Sequence, residues 1–303
     1  NGLMQSPAAI PCEKQLSGVD SLIWTNWMQR LLVERLSEKS ELFATQLAAT
    51  NNHWEEVFWR MLAKNFGIKV NALAFEKIAA SIPVNILAKH KNQIQQLEAL
   101  LLGQANMLER QFEDDYCIML QKEYYFLQKK YKLQPVNIGL HFLRMRPSNF
   151  PSVRLAQLAM LVHQSSHLFS KIIAGALLKE IRPLLDVTAN DYWHYHYMPG
   201  EPSSFKKKKL GKQMVDNIIV NTIAPLLFAY GHYLNEQEYK AKALAWLEET
   251  AAEKNNITKI FASAGVQIKS AFGSQSLIQL KNKYCNSKRC LECAAGNNIL
   301  KRS

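Results

Sequence analysis

The chain has 303 residues, of which 48% are hydrophobic and 20% charged, so it can bury a core as one large domain or two small ones. Five cysteines without a signal-peptide pattern argue against a disulfide-stabilised secreted protein and favour the reducing cytoplasm. No apolar run approaches membrane-spanning length, so no membrane partner is expected.

The positive charge is concentrated in the second half of the chain. Residues 1–150 carry 17 Lys and Arg against 14 Asp and Glu, whereas residues 151–303 carry 20 against 11. Residues 254–303 hold nine basic residues and one acid, Glu292. This distribution favours a polyanionic partner, which could be nucleic acid or an acidic protein, although solubility alone would also account for it.

Apolar residues recur at helical spacing along most of the chain, and no run of strands is evident. The pattern predicts an all-α, multi-helix orthogonal bundle around a buried central helix, with a cysteine-containing C-terminal tail. We expect an extended lead-in at 1–18, an α-helical domain at 19–283, and a basic tail at 284–303 packed on that domain. Helices are predicted at 20–49, 53–65, 71–82, 84–102, 111–132, 152–181, 210–234, 236–250, 256–264 and 275–284.

The central helix is preceded by an arginine- and proline-rich loop at 144–151. Asn149 is expected to cap the helix, which leaves unpaired N–H groups and the positive end of the helix dipole beside Arg144, Arg146 and Arg154. Guanidinium groups at such a helix end favour a phosphate or carboxylate site. Pairing of the arginines with acids or loop carbonyls elsewhere in the fold is the alternative.

Two histidines, His163 and His167, lie four residues apart on the central helix. No glutamate follows the first of them, so the zinc-peptidase motif is absent and hydrogen-bonded histidines are favoured. An enzyme alternative remains, in which Arg144 and Arg146 hold a small anionic substrate and one histidine acts as acid or base.

Residues 184–209 form the longest irregular stretch, and they join aromatic rings to a lysine run. Aromatic side chains interleaved with positive charge suit nucleic acid, with Trp193 stacking on a base. The alternation of rings could equally mark a short edge strand, and the lysines could simply be solvated. The predicted contacts in this stretch are Trp193, His194, His196, Lys206, Lys207, Lys208 and Lys209.

The tail contains Cys285, Cys290 and Cys293, of which the last two have the spacing of a chelating pair. A fourth ligand is needed for a structural zinc site, and Cys12 or a histidine such as His232 could supply it. An iron–sulfur cluster and reduced, unliganded cysteines are the alternatives.

Several segments resemble a bacterial domain-of-unknown-function family, number 2851, and match its C-terminal helical part. These segments are Arg144-Met-Arg146-Pro147-Ser148-Asn149-Phe150-Pro151, Trp54-Glu55-Glu56, and Tyr284-Cys285 with Lys288-Arg289-Cys290-Leu-Glu-Cys293. Members of that family usually carry a further N-terminal region similar to restriction-type nuclease cores. The resemblance thus implies the accessory part of a nuclease-like protein, and we expect a nucleic-acid-binding helical domain, for DNA or RNA, without a catalytic motif of its own. A structural or protein-interaction domain is the third class considered.

Overall fold

The computed structural model describes residues 5–165 and 167–302, so the predictions for residues 1–4 and 303 lie outside the described residues. Most of the chain is helical, and the prediction of an all-α multi-helix fold is confirmed. The α-helices are α1 Ser21–Ala49, α2 Trp54–Phe66, α3 Ile68–Ser81, α4 Val84–His90, α5 Ile94–Gln104, α6 Asp115–Tyr131, α7 Pro151–Gln164, α8 Leu168–Ala174, α9 Leu178–Ile181, α10 Lys212–Ile218, α11 Ala224–Tyr233, α12 Gln237–Glu249, α13 Asn256–Ser263, α14 Ala271–Gln279 and α15 Ala294–Arg302.

Shorter turns connect several of these helices. They are 3-10 turns at Glu13–Gly18, Pro147–Asn149, Arg182–Leu185 and Asp191–Tyr195, and π turns at Ile219–Ile223 and Leu280–Cys285. A small antiparallel hairpin joins β1 (His196–Met198) to β2 (Glu201–Pro202). The hairpin agrees with the alternative that the aromatic alternation marks a short strand.

The chain folds into two compact units. One consists of Asn1–Thr45 and Ile223–Ser303, and the other of Gln46–Thr222. We call them the terminal unit and the central unit. The sequence analysis placed residues 19–283 in a single α-helical domain, and that division stays a prediction.

Side chains at several helix starts satisfy backbone N–H groups that have no partner inside the helix. Asp20 accepts from Leu22 N at 2.9 Å, and Asp114 accepts from Cys117 N at 2.9 Å. At the start of α2 the His53 ring accepts from Glu56 N. The helix predicted from residue 71 begins earlier, at Ile68, so Asn71 lies inside α3, and its side chain bonds the backbone of His141.

The predicted central helix corresponds to α7, and its residues from Pro151 to Ala159 are all buried. A helix buried on every side is enclosed by other helices, and α7 packs on α5 of the same unit. The predicted continuation to residue 181 is interrupted, because α7 ends at Gln164 and His167 has a left-handed φ of 52° before α8 begins.

Helices α5 and α6 approach each other closely at Gly103. A β-carbon added to Gly103 would lie 2.2 Å from the ring of Tyr124. The Tyr124 hydroxyl also accepts a hydrogen bond from Gln104 at 2.9 Å. The absence of a side chain at position 103 is therefore what lets the Tyr124 ring pack against α5.

Among the described residues, the helical stretch Lys212–Tyr233 is long and apolar enough to cross a membrane, with a mean hydropathy of 1.3 in an 18-residue window. The bent pair α3 and α4 passes the same test if it is counted as one span. Asn217 and Asn221 interrupt the apolar run of the first stretch, so its length is not evident from the sequence. About 78% of the window is buried inside the protein, as in a core helix, so the hydropathy is weak evidence for a membrane span.

Candidate nucleic-acid interface

A basic cleft of about 410 Å³ lies in the central unit, where the start of α7 and the start of α10 meet the lysine run. Among the described residues that line it there is no aspartate or glutamate. We call it the basic cleft. Its lining residues are Ile68, Ser148, Asn149, Val153, Arg154, Gln157, Tyr197, Lys206, Lys207, Lys208, Lys209, Gly211, Gln213, Met214 and Asn217.

Arg154 is a buried cation of the basic cleft, with only 8% of its surface exposed. Its Nη1 donates to Gln157 Oε1 at 3.0 Å and its Nη2 to Asn149 Oδ1 at 2.6 Å. Its Nε is buried without a partner, and no acid forms an ion pair with it among the described residues. Burial lowers the pKa of the Arg154 guanidinium to about 10, which leaves it charged at neutral pH. A buried charge of this kind is costly unless an anion compensates it.

Two amide side chains hold the Arg154 guanidinium in place. Asn149 was predicted to cap α7, but the cap position belongs to Phe150, and Asn149 ends the preceding 3-10 turn. The Asn149 oxygen is directed to Arg154 instead. Gln157 accepts from Arg154 and donates through Nε2 to the Lys208 carbonyl at 3.2 Å. The guanidinium and the lysine run are therefore linked through one buried amide.

The first turn of α7 contributes to the same cleft through Val153. The α7 N-terminus carries no side-chain cap, so the positive end of its dipole is not offset by a capping oxygen. A helix end of this kind and a buried guanidinium both attract negative charge. The uncapped helix N-terminus and the buried guanidinium are therefore two independent features that favour the predicted anion site.

The four lysines of the run lie in different environments. Lys206 and Lys207 are exposed, and Lys209 pairs with Asp186 at 2.8 Å. Lys208 is buried, its Nζ lies 3.6 Å from the Tyr197 ring centroid, and it donates to the Lys206 carbonyl at 3.1 Å. Burial and the neighbouring Lys206 charge lower the pKa of Lys208. Lys206 and Lys207 are accordingly the cations of the run that are open to solvent and free of ion pairs among the described residues.

The backbone of Ile68, which also lines the cleft, has a φ of 49°. Side chains branched at the β-carbon rarely adopt positive φ, because the branch clashes with the backbone. Such strain persists only where the surrounding structure imposes it, and it is frequent at binding sites.

The loop arginines lie just before the cleft along the chain. Arg144 and Arg146 are exposed, and neither forms an ion pair with a described residue. The Arg146 carbonyl accepts from Asn149 N at 2.8 Å, so Arg146 directly precedes the turn whose Ser148 and Asn149 line the cleft. The alternative that these two arginines pair with acids is not seen among the described residues.

The aromatic residues predicted to contact nucleic acid lie mainly inside the protein. Trp193 is fully buried, so its ring cannot stack on a base in this conformation, contrary to the prediction. His194 is buried against Phe205, and His196 stacks on Tyr192 with the ring centroids 3.9 Å apart. Trp193 and His194 therefore support the lysine run through their packing, whereas the exposed aromatic rings beside it are Tyr195 and Phe205.

A buried polar network surrounds Trp193. Glu98 is fully buried and accepts from the Tyr116 hydroxyl at 2.7 Å, and Tyr116 in turn accepts from Asn190 at 2.7 Å. The Trp193 indole N–H faces Glu98 without reaching hydrogen-bonding geometry. Burial raises the pKa of the Glu98 carboxyl to about 7, although its neighbours partly offset the shift. The network fixes the segment from Asn190 to Trp193, which leads into the hairpin and the lysine run.

The predicted enzyme alternative requires the arginines and the histidines to share a pocket, but α7 separates them. Arg144 and Arg146 precede its first residue, whereas His163 and His167 lie at or beyond its last turn, roughly 20 Å along the axis for its 14 residues. The His163 ring contacts the Lys91 carbonyl. His167 lines a different, largely apolar cleft of about 340 Å³ together with Phe58, Trp59 and Leu168. No shared Arg/His pocket is seen in the described part of the chain.

Sequence reasoning missed Gln157, Tyr197, Gln213 and Asn217 as lining residues. Gln157 could have been found, because it lies three residues after Arg154 and shares its helix face. Tyr197 was seen only as part of the aromatic run. Gln213 and Asn217 are brought to the cleft by the position of α10, which no local pattern indicates.

The predicted metal ligands Cys12, Cys285, Cys290 and Cys293 all lie in the terminal unit and are free thiols. Among residues 5–165 and 167–302, no group of three or more histidine, cysteine, aspartate or glutamate side chains has the geometry of a metal site. His232, the other predicted candidate, lines a shallow groove in the terminal unit with Phe228 and Leu244.

Comparison with known proteins identifies the family but no activity. A family profile described as "Protein of unknown function (DUF2851)" matches residues 1–256. The segment from Tyr284 to Cys293, in which the sequence analysis saw part of the resemblance, lies beyond that match. No curated protein and no solved structure shows significant similarity to the chain. Since the profile covers well over half of the sequence, the chain belongs to the DUF2851 family.

Proposed function

We propose that the central unit binds nucleic acid through its phosphate groups, in the basic cleft and along the exposed cations beside it. The observation that carries the proposal is Arg154, a buried guanidinium that lines a cleft and has no acid partner among the described residues. A phosphate oxygen would supply both the missing negative charge and an acceptor for guanidinium N–H groups.

The number of cations favours a polyanion over a single small anion. Arg154 and Lys208 line the interior of the cleft, whereas Lys206 and Lys207 lie at its exposed side. Arg146 lies two residues before the lining residue Ser148, which adds a further exposed charge beside the cleft. Several phosphates in succession along a backbone would engage such a set of cations.

The contacts so described involve phosphate groups, and the predicted stacking residue Trp193 is buried. Contacts to phosphate position a protein on nucleic acid but carry no base information. We therefore expect weak sequence preference, and a discrimination between DNA and RNA that depends on backbone geometry.

The test is a fluorescence anisotropy titration with single- and double-stranded DNA and RNA at low salt. The cleft variant is Lys206→Gln/Lys207→Gln, and the matched control is Lys122→Gln/Lys129→Gln, which removes the same charge from exposed positions of α6. We expect the cleft variant to weaken binding several-fold more than the control does. Absence of binding at low salt, or recovery of a stoichiometric complex with an acidic protein instead, would contradict the proposal.

A further inference from the structure

Four of the five cysteines gather in the terminal unit, although they come from opposite ends of the chain. Cys12 directly precedes the 3-10 turn Glu13–Gly18, Cys285 ends the π turn Leu280–Cys285, and Cys290 and Cys293 precede α15. Cys12, Cys290 and Cys293 are each 7% exposed. This cluster of cysteines belongs to the terminal unit and shares no residue with the basic cleft.

The packing of the terminal unit shows that the four residues share one neighbourhood. Cys12 and Cys293 belong to the same hydrophobic cluster, and Cys285 packs against it. The backbone of Cys290 lies against the start of α15, since a β-carbon on Gly296 would be 2.4 Å from the Cys290 carbonyl oxygen.

The electrostatic interactions between the thiols also indicate that the four cysteines lie close to one another. The pKa of Cys12 is raised to about 12, mainly by burial and in smaller part by the charges of Cys293 and Cys290. Burial likewise raises the pKa of Cys285 to about 12, with contributions from Cys293, Cys12 and Cys290. Since Cys12 and Cys285 each lie close enough to Cys290 and Cys293 to be affected by their charges, the four thiols are neighbours.

Cys293 is already surrounded by hydrogen-bond donors. The backbone N–H groups of Gly296 and Ala295, at the N-terminus of α15, lower its pKa against the larger effect of burial. The indole N–H of Trp27 faces the same sulfur without reaching hydrogen-bonding geometry, and it has no other partner among the described residues. Donors directed at a cysteine sulfur are the outer-shell partners that orient a metal-ligating side chain.

We propose that Cys12, Cys285, Cys290 and Cys293 form a structural zinc site that ties the tail and α15 to the N-terminal segment. As they stand, the thiols do not have metal-site geometry, so binding requires side-chain rotation between staggered rotamers until the four sulfurs converge. Four thiolates complete a tetrahedral zinc site with Zn–S distances of about 2.3 Å and leave no open position, as in structural sites.

The zinc ion would stabilise residues 294–302, a segment that buries little apolar surface of its own. Residues 294–302 contribute few large apolar side chains. One of them, Ile299, lies in the hydrophobic cluster. Each bound zinc replaces four S–H protons, which pass to solvent, by four Zn–S bonds. The affinity therefore falls as the pH is lowered, and folding of the tail is coupled to the metal.

The first experiment is elemental analysis of the whole protein purified without chelator. We expect one zinc per chain in the wild type, and loss of zinc with a lower melting temperature in Cys12→Ser and Cys293→Ser. Cys117→Ser is the matched control, because Cys117 is a buried cysteine of the central unit, and this variant should retain zinc. A wild type without zinc, or a Cys12→Ser variant with a full complement of zinc, would overturn the proposal.

A second measurement uses only the wild-type protein, so it still tests the proposal if the cysteine variants fail to fold. Wild-type protein is stripped with a chelator and titrated with Co²⁺, for which we expect the intense sulfur-to-cobalt absorption of a tetrahedral thiolate site. Bound iron with acid-labile sulfide in the purified protein would replace the zinc assignment with an iron–sulfur cluster. Disulfides among the four cysteines, detected by mass spectrometry under non-reducing conditions, would refute a metal site altogether.

Discussion

Arg154 donates from Nη2 to the side-chain oxygen of Asn149 over 2.6 Å, while its Nε is buried without a partner among the described residues. The pair joins the turn before α7 to the buried first turns of that helix. Both residues line the basic cleft, so the contact fixes a cation where the chain provides no compensating acid. This uncompensated charge is the basis of the proposed phosphate site.

Replacing Arg154 by methionine should separate binding from stability. Methionine fills much of the same space and removes the cost of the buried charge, but it leaves the Asn149 and Gln157 oxygens without their donor, so the free energy of unfolding should fall by no more than about 1–2 kcal/mol. Affinity for nucleic acid should fall roughly ten-fold or more, which corresponds to about 1.4 kcal/mol. Urea unfolding and anisotropy titration measure the two quantities.

The control for this substitution is Arg60→Met, because Arg60 has an acid partner, Glu56, at 3.1 Å. Its loss leaves the buried Glu56 carboxylate without that partner and should destabilise the protein by roughly 1–3 kcal/mol while binding is retained. A strongly destabilised Arg154→Met variant with unchanged affinity would mean that Arg154 has only a structural role.

Substitution of Glu98 by glutamine should change the pH dependence of stability. The folded-state pKa of Glu98 is raised to about 7 from an ordinary value of 4.5, so the native state binds the proton more tightly than the unfolded state. The free energy of unfolding should therefore decrease as the pH rises from about 5 to above 7, by on the order of 2–3 kcal/mol from this one group.

Glu98→Gln removes the titration, so the variant should lose less stability over the same pH interval and be more stable than the wild type at pH 8. Urea unfolding measured at a series of pH values checks the prediction. Parallel curves for wild type and variant would show that Glu98 does not titrate in this interval.

Gly103→Ala should disrupt the contact between α5 and α6. The added methyl group would meet the Tyr124 ring at 2.2 Å, and displacement of that buried ring should cost about 1–3 kcal/mol of stability. Gly139→Ala is the control, since nothing lies within 4 Å of its added β-carbon. Thermal unfolding of both variants tests the prediction, and equal melting temperatures would contradict the close packing at Gly103.

The helices were predictable because their apolar residues recur with the helical period and one start carries the expected capping side chain, Asp20. The helix predicted from residue 111 begins instead at Asp115, with Asp114 as its cap. The interruption of the central helix was not, since His167 adopts a left-handed conformation that its sequence context does not indicate.

The candidate site was predictable in part. Arg154 and the lysines at 206–209 could be found from charge alone, and the cleft brings them together with Asn149. The burial of Trp193 could not be read from the sequence, because an aromatic ring beside lysines has the same pattern whether it faces solvent or the core. The contribution of α10 depends on tertiary packing that has no local signature.

The salt dependence of nucleic-acid binding tests the central claim most directly. For the wild type, the logarithm of the affinity should fall linearly with the logarithm of the salt concentration, with a slope of roughly 0.7–0.9 per phosphate contact. Lys206→Gln/Lys207→Gln should reduce the slope by roughly 1.4–1.8, whereas Lys122→Gln/Lys129→Gln should leave it unchanged. Salt-independent binding, or equal slopes for the two double variants, would contradict phosphate binding at the basic cleft.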